Sequence, residues 1–102
     1  MFGTIARMQV KPGKDQEFHQ LGEQWTATRG AAAGQIAGYL FKLQDQPGAY
    51  MMVAVFRDRE SYYQNAGDPE TDRFYQEMRA VLTADPEWND GEISEVFIAS
   101  GI

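Results

Sequence analysis

The sequence contains no cysteine and a single histidine, His19, among its 102 residues. Without cysteine the chain has no thiol nucleophile, no disulfide and no thiolate ligand for a metal. One histidine leaves only carboxylates as further metal ligands, and these show no ligand spacing, so we expect neither a metal nor any other cofactor. The sequence also has no glycine-rich phosphate loop and no motif that supports a serine-histidine-acid triad. No enzyme class therefore follows from short motifs.

Basic residues and long apolar runs are scarce as well. Nine Lys and Arg stand against fifteen Asp and Glu, which gives a formal net charge of −6. Nucleic-acid binding relies on Lys and Arg to neutralise phosphates, so DNA and RNA are disfavoured as partners. No run approaches the roughly 20 apolar residues that span a membrane, and no basic leader precedes an apolar segment. We expect a cytoplasmic protein that binds neither nucleic acid nor membrane.

What the sequence does contain is enough apolar material for a packed core. Hydrophobic residues make up 43% of the chain, and aromatic residues 13%, which is too apolar for a disordered protein. The length predicts a single domain over residues 1–102. Its most apolar stretch, Ala49–Arg57, follows a turn at Gln46–Gly48 and is apolar on both faces. This pattern predicts a strand in the middle of a sheet.

The remaining segments alternate between strand-like and helix-like patterns. Besides the strand at Ala49–Arg57, we predict strands at Phe2–Val10, Gln35–Leu43 and Glu92–Ala99, and helices at Asp15–Arg29, Asp58–Ala66 and Asp68–Ala84. Asp58 and Asp68 are predicted to cap their helices, and Pro69 suits a first helical turn. This order, βαββαβ with a pair of helices before the last strand, is typical of the α+β ferredoxin-like fold, an antiparallel sheet with helices on one face.

Helices on one face leave the other face of the sheet uncovered. The predicted central strand would expose Met, Val and Tyr side chains there, a larger apolar patch than a soluble monomer normally carries. We therefore predict a homodimer packed sheet to sheet. Burying several hundred Å² per chain would contribute on the order of 10 kcal/mol before association costs. Arg7 interrupts the first strand, and Glu92 or Glu95 is expected to pair with it.

Three passages together resemble a known family. They are Val10–Lys14 followed by Phe18, the run Phe56–Tyr62 at the end of the third strand, and the passage Asn65–Phe74 with Pro69. The chain resembles the antibiotic-biosynthesis-monooxygenase type of dimeric α/β barrel over nearly its whole length. That family tends to have a tryptophan near the position of Phe56 and a histidine near that of Asn65.

The resemblance implies a cofactor-independent monooxygenase that acts on a small aromatic or quinol-type compound. Such chemistry needs a dry apolar pocket, aromatic walls and a polar group that ionises a phenol. Tyr39, Asn65 and His19 are the candidate catalytic residues, with Tyr39 the leading one. The candidate substrate-binding residues, placed between helices and sheet, are Trp25, Phe41, Tyr62, Phe74, Met78 and Arg73.

Each candidate also has a purely structural explanation, and other functions stay open. Trp25 can be a core residue and His19 a surface residue, and Asn65 can hydrogen-bond the backbone at a helix end. Gly22, on the predicted apolar stripe of the first helix, permits either close packing or room for a ligand. A non-catalytic small-molecule binding or dimerisation module is the main alternative, and an isomerase or lyase is a further one. Haem degradation is disfavoured, because Ala6 stands where the related haem-degrading enzymes have an asparagine and no histidine follows His19.

Overall fold

In the computed structural model, which describes residues 1–99, four strands and three helices follow the predicted order. The elements are β1 (Phe2–Gln9), α1 (Asp15–Trp25), β2 (Gln35–Lys42), β3 (Ala49–Phe56), α2 (Arg59–Ala66), α3 (Pro69–Ala80) and β4 (Glu87–Glu92). The sheet is antiparallel throughout, with the strand order β2-β3-β1-β4. The ferredoxin-like fold is confirmed, and the apolar strand β3 is central as predicted.

The register of the sheet decides which side chains meet the helices. In β1, Ala6 and Met8 point to the helix side and are buried, and Tyr50 lies opposite Met8 on β3. Because opposite residues of an antiparallel pair share a face, the even-numbered residues of β3 also face the helices. The core formed there contains Ala6, Met8, Val10, Phe18, Tyr50, Val81 and Leu82. This layer anchors both α1 and the chain after α3.

The two predicted helix caps are present. Asp58 accepts a hydrogen bond from the backbone N–H of Ser61 at 2.7 Å, which starts α2. Asp68 accepts one from the N–H of Glu70 at 2.8 Å, and Pro69 is the first residue of α3. A capping side chain satisfies an N–H that the helix itself leaves without a partner, so both starts are fixed locally by the sequence.

The predicted end of α3 was wrong. The helix stops at Ala80, not near Ala84, because the next residues pair with the end of β1. Val10 forms a bridge with Leu82, and the backbone N–H of Lys11 donates to the carbonyl of Val81 at 2.8 Å. Hydrogen bonds to β1 thus replace those that another helical turn would make.

The predicted last strand was also wrong. β4 runs over Glu87–Glu92, whereas we had expected Glu92–Ala99. Glu92 lies opposite Phe2, the first residue of β1, and the N–H of Ile93 donates to the carbonyl of Met1 at 2.9 Å. Pairing of β4 with β1 therefore stops at Glu92, opposite the first residue of β1. The residues with high strand propensity follow only after Glu92. Residues 93–99 form no regular strand in the part of the chain described.

Two smaller expectations fail as well. The guanidinium of Arg7 donates to Gln46 Oε1 at 3.3 Å and forms no ion pair with Glu92 or Glu95 within residues 1–99. Gly22 is exposed, and a Cβ built on it would meet no atom within 4 Å. Gly22 therefore lies on the solvent side of α1 and not on its buried stripe.

No helix among the residues described has the length and apolar character needed to cross a membrane.

Candidate functional site

An aromatic contact joins α1 to α3. Trp25, the last residue of α1, meets Phe74 edge to face with ring centroids 5.5 Å apart, and both are half-buried. One turn away on each helix, Leu21 and Met78 pack against the core. Residues four apart on a helix share a face, so the two helices run antiparallel with Trp25 and Phe74 at one end of their contact. Met78 packs against the core, and the aromatic pair lies one helical turn away from it.

The indole of Trp25 is held in place by β2. Its Nε1–H donates to Gln35 Oε1 at 2.8 Å, and Gln35 Nε2 donates to the carbonyl of Ala37 at 3.2 Å. The register of β2 against β3 shifts between Gln35 and Ala37, which marks a β-bulge. Because both ends of the Gln35 amide are engaged, the orientation of the Trp25 ring is fixed by two hydrogen bonds in series.

A wider helical turn follows Trp25. Residues Thr26–Gly30 form a π-helical turn, a rare conformation that is often found at functional sites. The hydroxyl of Thr26 donates to the carbonyl of Gly22 at 3.0 Å, and that of Thr28 to the carbonyl of Gln24 at 2.7 Å. Such bonds back to the preceding turn loosen or bend a helix. They accompany the change from α to π geometry here.

The π turn is tied to the loop before α3 by an ion pair. Arg29 Nη2 lies 2.8 Å from Asp68 Oδ2, with 25% and 35% of the two side chains exposed. The Nε of Arg29 is inaccessible to solvent and has no hydrogen-bond partner within residues 1–99. Asn65, just before this loop, accepts a hydrogen bond from the Thr71 hydroxyl at 2.6 Å. The ends of α1, α2 and α3 are thus connected by polar contacts around the aromatic pair.

Tyr62 of α2 forms the polar centre of a second aromatic group. Its ring contacts Phe2 at 5.2 Å, Phe56 at 5.3 Å and Tyr63 at 5.1 Å between centroids. Its hydroxyl donates to Asp90 Oδ1 at 2.7 Å. Burial and the Asp90 carboxylate raise the pKa of the Tyr62 hydroxyl above its usual value, because both disfavour a phenolate. Tyr62 is therefore a neutral phenol at physiological pH, hydrogen-bonded to an exposed carboxylate.

The two aromatic groups are connected through the sheet. Gln35, which holds Trp25, lies opposite Phe56 on β3, and Phe56 contacts Tyr62 edge to face. Asn65 follows Tyr62 by three residues, so both lie on one side of α2. We call this the helix-side strip; its residues are Trp25, Gln35, Phe56, Tyr62, Asn65 and Phe74. It brings together four of the predicted site residues: Trp25, Tyr62, Asn65 and Phe74.

Tyr39 and Phe41 do not lie on this strip. They are opposite Val53 and Met51 of β3, whose odd-numbered side chains point away from the helices. Tyr39 is 58% and Phe41 56% exposed on that face, next to Ile5 of β1 at 48%. Placing them between helices and sheet was wrong, because the residues of β2 that face the helices there are Gly38 and Leu40, not Tyr39 and Phe41.

His19 and Arg73 are also separate from the strip. His19 Nε2 lies 3.5 Å from the hydroxyl of Tyr50, which donates to Asp15 Oδ2 at 2.6 Å. This group is near the start of α1, about 9 Å along the helix axis from Trp25. Arg73 lies 3.7 Å from Glu70 and its side chain is 71% exposed. The structure thus places His19 at the other end of α1 from Trp25, and Arg73 on the exposed side of α3.

Sequence reasoning missed the polar residues that hold the aromatic ones. Gln35, Arg29, Asp68 and Asp90 were not among the candidates, although each contacts the strip or its ends. A half-buried tryptophan or tyrosine needs a hydrogen-bond partner. This requirement is the one signal in the sequence that predicts polar residues beside the aromatic ones. Within residues 1–99, no group of three or more His, Asp or Glu side chains is placed to hold a metal ion. The strip consists of aromatic side chains, one of them a phenol, and two amides, and the carboxylate of Asp90 accepts the hydrogen bond of the phenol.

Comparisons with known proteins agree with this fold. The family model of the antibiotic biosynthesis monooxygenases matches residues 1–77. No curated protein matches the sequence. Among solved structures, SnoaB, a cofactor-independent oxygenase from Streptomyces nogalater, is 19% identical, with 93% of this chain and 94% of that chain covered at a TM-score of 0.78.

Two further solved structures have no stated activity. A conserved protein from Methanosarcina mazei Go1 is 22% identical, with 88% of this chain and 89% of that chain covered at a TM-score of 0.77. A protein of unknown function from Nitrosomonas europaea is 15% identical, with 98% and 95% covered at a TM-score of 0.74. At these identities the structural likeness shows the shared fold alone.

Proposed function

The chain belongs to the antibiotic biosynthesis monooxygenase family, and from this premise we propose that it is a cofactor-independent monooxygenase acting on a small aromatic or quinol-type compound. The observation that supports this most is the helix-side strip, which combines aromatic side chains, among them a phenol, with two amides. SnoaB, of the same fold, is a cofactor-independent oxygenase.

The proposed reaction needs no electron source other than its substrate. A phenolic compound with an acidic CH₂ group loses a proton, and the carbanion gives one electron to dioxygen. The radical pair joins as a peroxide on carbon, takes up a proton, and loses water to leave a ketone or quinone. One oxygen atom enters the product and the other leaves as water. The protein has to bind the ring, exclude bulk water and assist removal of the first proton.

Tyr62 and Asp90 are suited to the proton step. A substrate in its enol form, whose hydroxyl donates to Tyr62 Oη, can lose that proton while the Tyr62 proton moves to Asp90 Oδ1, 2.7 Å away. Loss of the enol proton gives the same anion as loss of the CH₂ proton. Asp90 is exposed and exchanges its proton with water. A relay of this kind ionises the phenol without forming a free tyrosinate, whose raised pKa opposes it.

Asn65 is suited to stabilise the resulting oxyanion. Its Oδ1 accepts from Thr71, and within residues 1–99 its Nδ2 has no acceptor. An amide with a free donor can hydrogen-bond an enolate or phenolate oxygen. Trp25 and Phe74 would stack on the substrate ring, with Gln35 fixing the indole.

The homodimer is a further part of the proposal. Ile5, Tyr39 and Phe41 are each about half-exposed on the helix-free face, and Met51 and Val53 lie between them, half-buried. A second copy covering this face would remove them from water. Tyr39 and Phe41 would then belong to the subunit interface and not to the substrate site.

The proposal is tested with a panel of anthrones and hydroquinones under oxygen, following oxygen uptake, quinone absorbance and the incorporation of one oxygen atom from ¹⁸O₂. The last readout is needed because a hydroquinone can also become a quinone without oxygen insertion. Tyr62→Phe should lower kcat at least about 100-fold, since a positioned proton-transfer group contributes that much. Tyr63→Phe is the matched control, because Tyr63 is on the same helix and its hydroxyl has no hydrogen-bond partner within the range described. It should change kcat less than about twofold. Equal losses in both variants would contradict a role for Tyr62.

A non-catalytic binding module of the same fold is the second candidate. It is favoured by the residues at the family's tryptophan and histidine positions, Phe56 and Asn65, neither of which can act as a general base. Saturable quenching of Trp25 by panel compounds, in a Trp88→Phe background, with no oxygen uptake would favour this alternative. Quenching together with uptake favours the oxygenase.

A further inference from the structure

One hydroxyl on the helix side of the sheet is buried without a partner. Thr4 of β1 is only 4% exposed, and its Oγ1 is inaccessible to solvent and makes no hydrogen bond within residues 1–99. Such a hydroxyl destabilises a fold, because it has lost its hydrogen bonds to water and gained none in return. Valine would fill nearly the same space without this cost. Packing alone therefore does not account for the hydroxyl of Thr4.

The register of the sheet places Thr4 beside the hydrogen bond between Tyr62 and Asp90. Thr4 lies opposite Asp90 on β4, and opposite residues of an antiparallel pair share a face, with Cβ atoms about 4.5–5.5 Å apart. The hydroxyl of Tyr62 reaches the same place, since it donates to Asp90 Oδ1 at 2.7 Å. Phe2, on the same face of β1, contacts the Tyr62 ring with centroids 5.2 Å apart. The polar ends of Thr4, Tyr62 and Asp90 thus converge.

The hydroxyl of Thr4 acts on the phenol of Tyr62. Burial raises the pKa of Tyr62 most and the hydrogen bond to Asp90 raises it further, whereas the Thr4 hydroxyl lowers it by acting as a donor to the phenol oxygen. Thr4 and Tyr62 nevertheless do not meet in full hydrogen-bond geometry. Hydrogen bonds that serve a reaction are often long in the unliganded protein and shorten when substrate is bound.

We propose that Thr4 is a positioning residue for the proton relay, its hydroxyl donating to Tyr62 Oη while the relay runs. This inference rests on the proposed function and adds a residue to its proton step. A phenol has one proton and two lone pairs. The proton of Tyr62 goes to Asp90, and one lone pair receives the proton of the substrate hydroxyl. The second lone pair is left for Thr4.

This contact has two effects on the relay. With one lone pair of Tyr62 Oη engaged by Thr4, the phenol proton is held toward Asp90 and the other lone pair toward the substrate. The Thr4 donor also stabilises the negative charge that develops on Oη as the two protons move, while Thr4 keeps its own proton throughout. Phe2 and Ala6, on either side of Thr4, are 9% and 0% exposed. In such dry surroundings a hydrogen bond to a developing charge is stronger than in water.

Removing the hydroxyl alone tests this role. Thr4→Val should lower kcat about tenfold or more, the effect of losing one hydrogen bond to a charged group, and should change KM less than about twofold because Thr4 does not touch the substrate. Thr4→Ser keeps the donor and should restore most of kcat. Thr4→Val should also raise the midpoint of thermal unfolding, since it removes an unpaired buried hydroxyl. Activity and stability that fall together, or an unchanged kcat, would overturn the inference.

Two controls show whether the effect passes through Tyr62. Thr83→Val makes the same substitution at an exposed position and should change kcat less than about twofold. In a Tyr62→Phe background, Thr4→Val should lower kcat by no more than about twofold further, because the group that Thr4 positions is already gone. A further tenfold fall in that background would contradict a positioning role.

A measurement without turnover separates this inference from the proposed function. Fluorotyrosine in place of Tyr62 has a more acidic phenol than tyrosine, and fluorine NMR follows its ionisation over the pH range in which circular dichroism shows a folded protein. Thr4→Val should raise the pKa of this phenol by about one unit, because the phenolate loses a donor, and Thr4→Ser should not. An unchanged pKa in Thr4→Val overturns the inference even in an active oxygenase. A raised pKa in a protein that oxidises no panel compound supports the contact and refutes the proposed function.

Discussion

Replacing Tyr50 by phenylalanine removes one hydrogen bond from the most buried part of the protein. Tyr50 is 1% exposed, and its hydroxyl donates to Asp15 Oδ2 at 2.6 Å, joining β3 to the start of α1. A hydrogen bond to a charged acceptor contributes about 1.5–3 kcal/mol, and water can partly replace the lost donor because Asp15 is half-exposed. We expect Tyr50→Phe to lower the free energy of unfolding by about 1.5 kcal/mol at neutral pH.

The same contact predicts a dependence on pH. The hydrogen bond to Asp15 and burial raise the pKa of Tyr50 from 10.0 to about 12. The folded state therefore holds the phenolic proton more tightly than the unfolded state does. Its stabilising effect is fully present below about pH 10 and is lost as the pH rises to about 12, amounting to roughly 2.7 kcal/mol for two pKa units. Tyr50→Phe has no such proton to lose.

Urea unfolding at one protein concentration, at about pH 9 and about pH 11, tests this reasoning. The wild-type protein should lose more stability than Tyr50→Phe over this interval, by about 1 kcal/mol or more, since only part of the titration is complete at the upper value. Tyr63→Phe, with its ring 46% exposed, is the control and should follow the wild type. Equal losses in wild type and Tyr50→Phe would refute the linkage of this hydrogen bond to stability.

Three glycine substitutions test the backbone packing. A Cβ at Gly3 would overlap the carbonyl oxygen of Ala54 on β3, so Gly3→Ala should destabilise the protein by about 2 kcal/mol or more in thermal or urea unfolding. Gly91 lies opposite Gly3 on β4, and a Cβ built on it would meet no atom within 4 Å. Gly91→Ala should therefore lower the free energy of unfolding much less than Gly3→Ala. Equal losses in the two variants would contradict the close approach of Gly3 to β3. Gly22→Ala should instead stabilise the protein by about 1 kcal/mol, since Gly22 is exposed within α1; a loss of stability would show that Gly22 packs closely after all.

The parts of the fold that the sequence predicted well carry local signals. Asp58 and Asp68 mark helix starts because a side-chain cap acts within a few residues. β3 was predictable from its apolar run. The end of the sheet was not, because residues 93–99 have the composition of a strand but lie outside the register in which β4 pairs with β1. Strand propensity is local, whereas strand pairing depends on a partner far away in the sequence.

The candidate site likewise has residues that the sequence identified and residues or positions that depend on distant segments. Trp25 and Phe74 were both among the candidate substrate-binding residues, and the structure brings their rings into contact. Tyr39 and Phe41 were misplaced because β2 is apolar on both faces and contains a bulge. Its sequence therefore does not indicate whether the odd- or the even-numbered residues face the helices. The partners of the aromatic residues, such as Gln35 and Asp90, were missed since hydrogen bonds between distant segments leave no periodic pattern.

Isotope labelling tests the proposed oxygenase chemistry most directly. The protein is incubated under ¹⁸O₂ with those panel compounds that quench Trp25 fluorescence, and the products are analysed by mass spectrometry. We predict a quinone that carries one heavy oxygen atom from dioxygen, with formation strongly reduced in Tyr62→Phe. Compounds that bind near Trp25 but consume no oxygen, or a product whose new oxygen comes from water, would contradict the proposal.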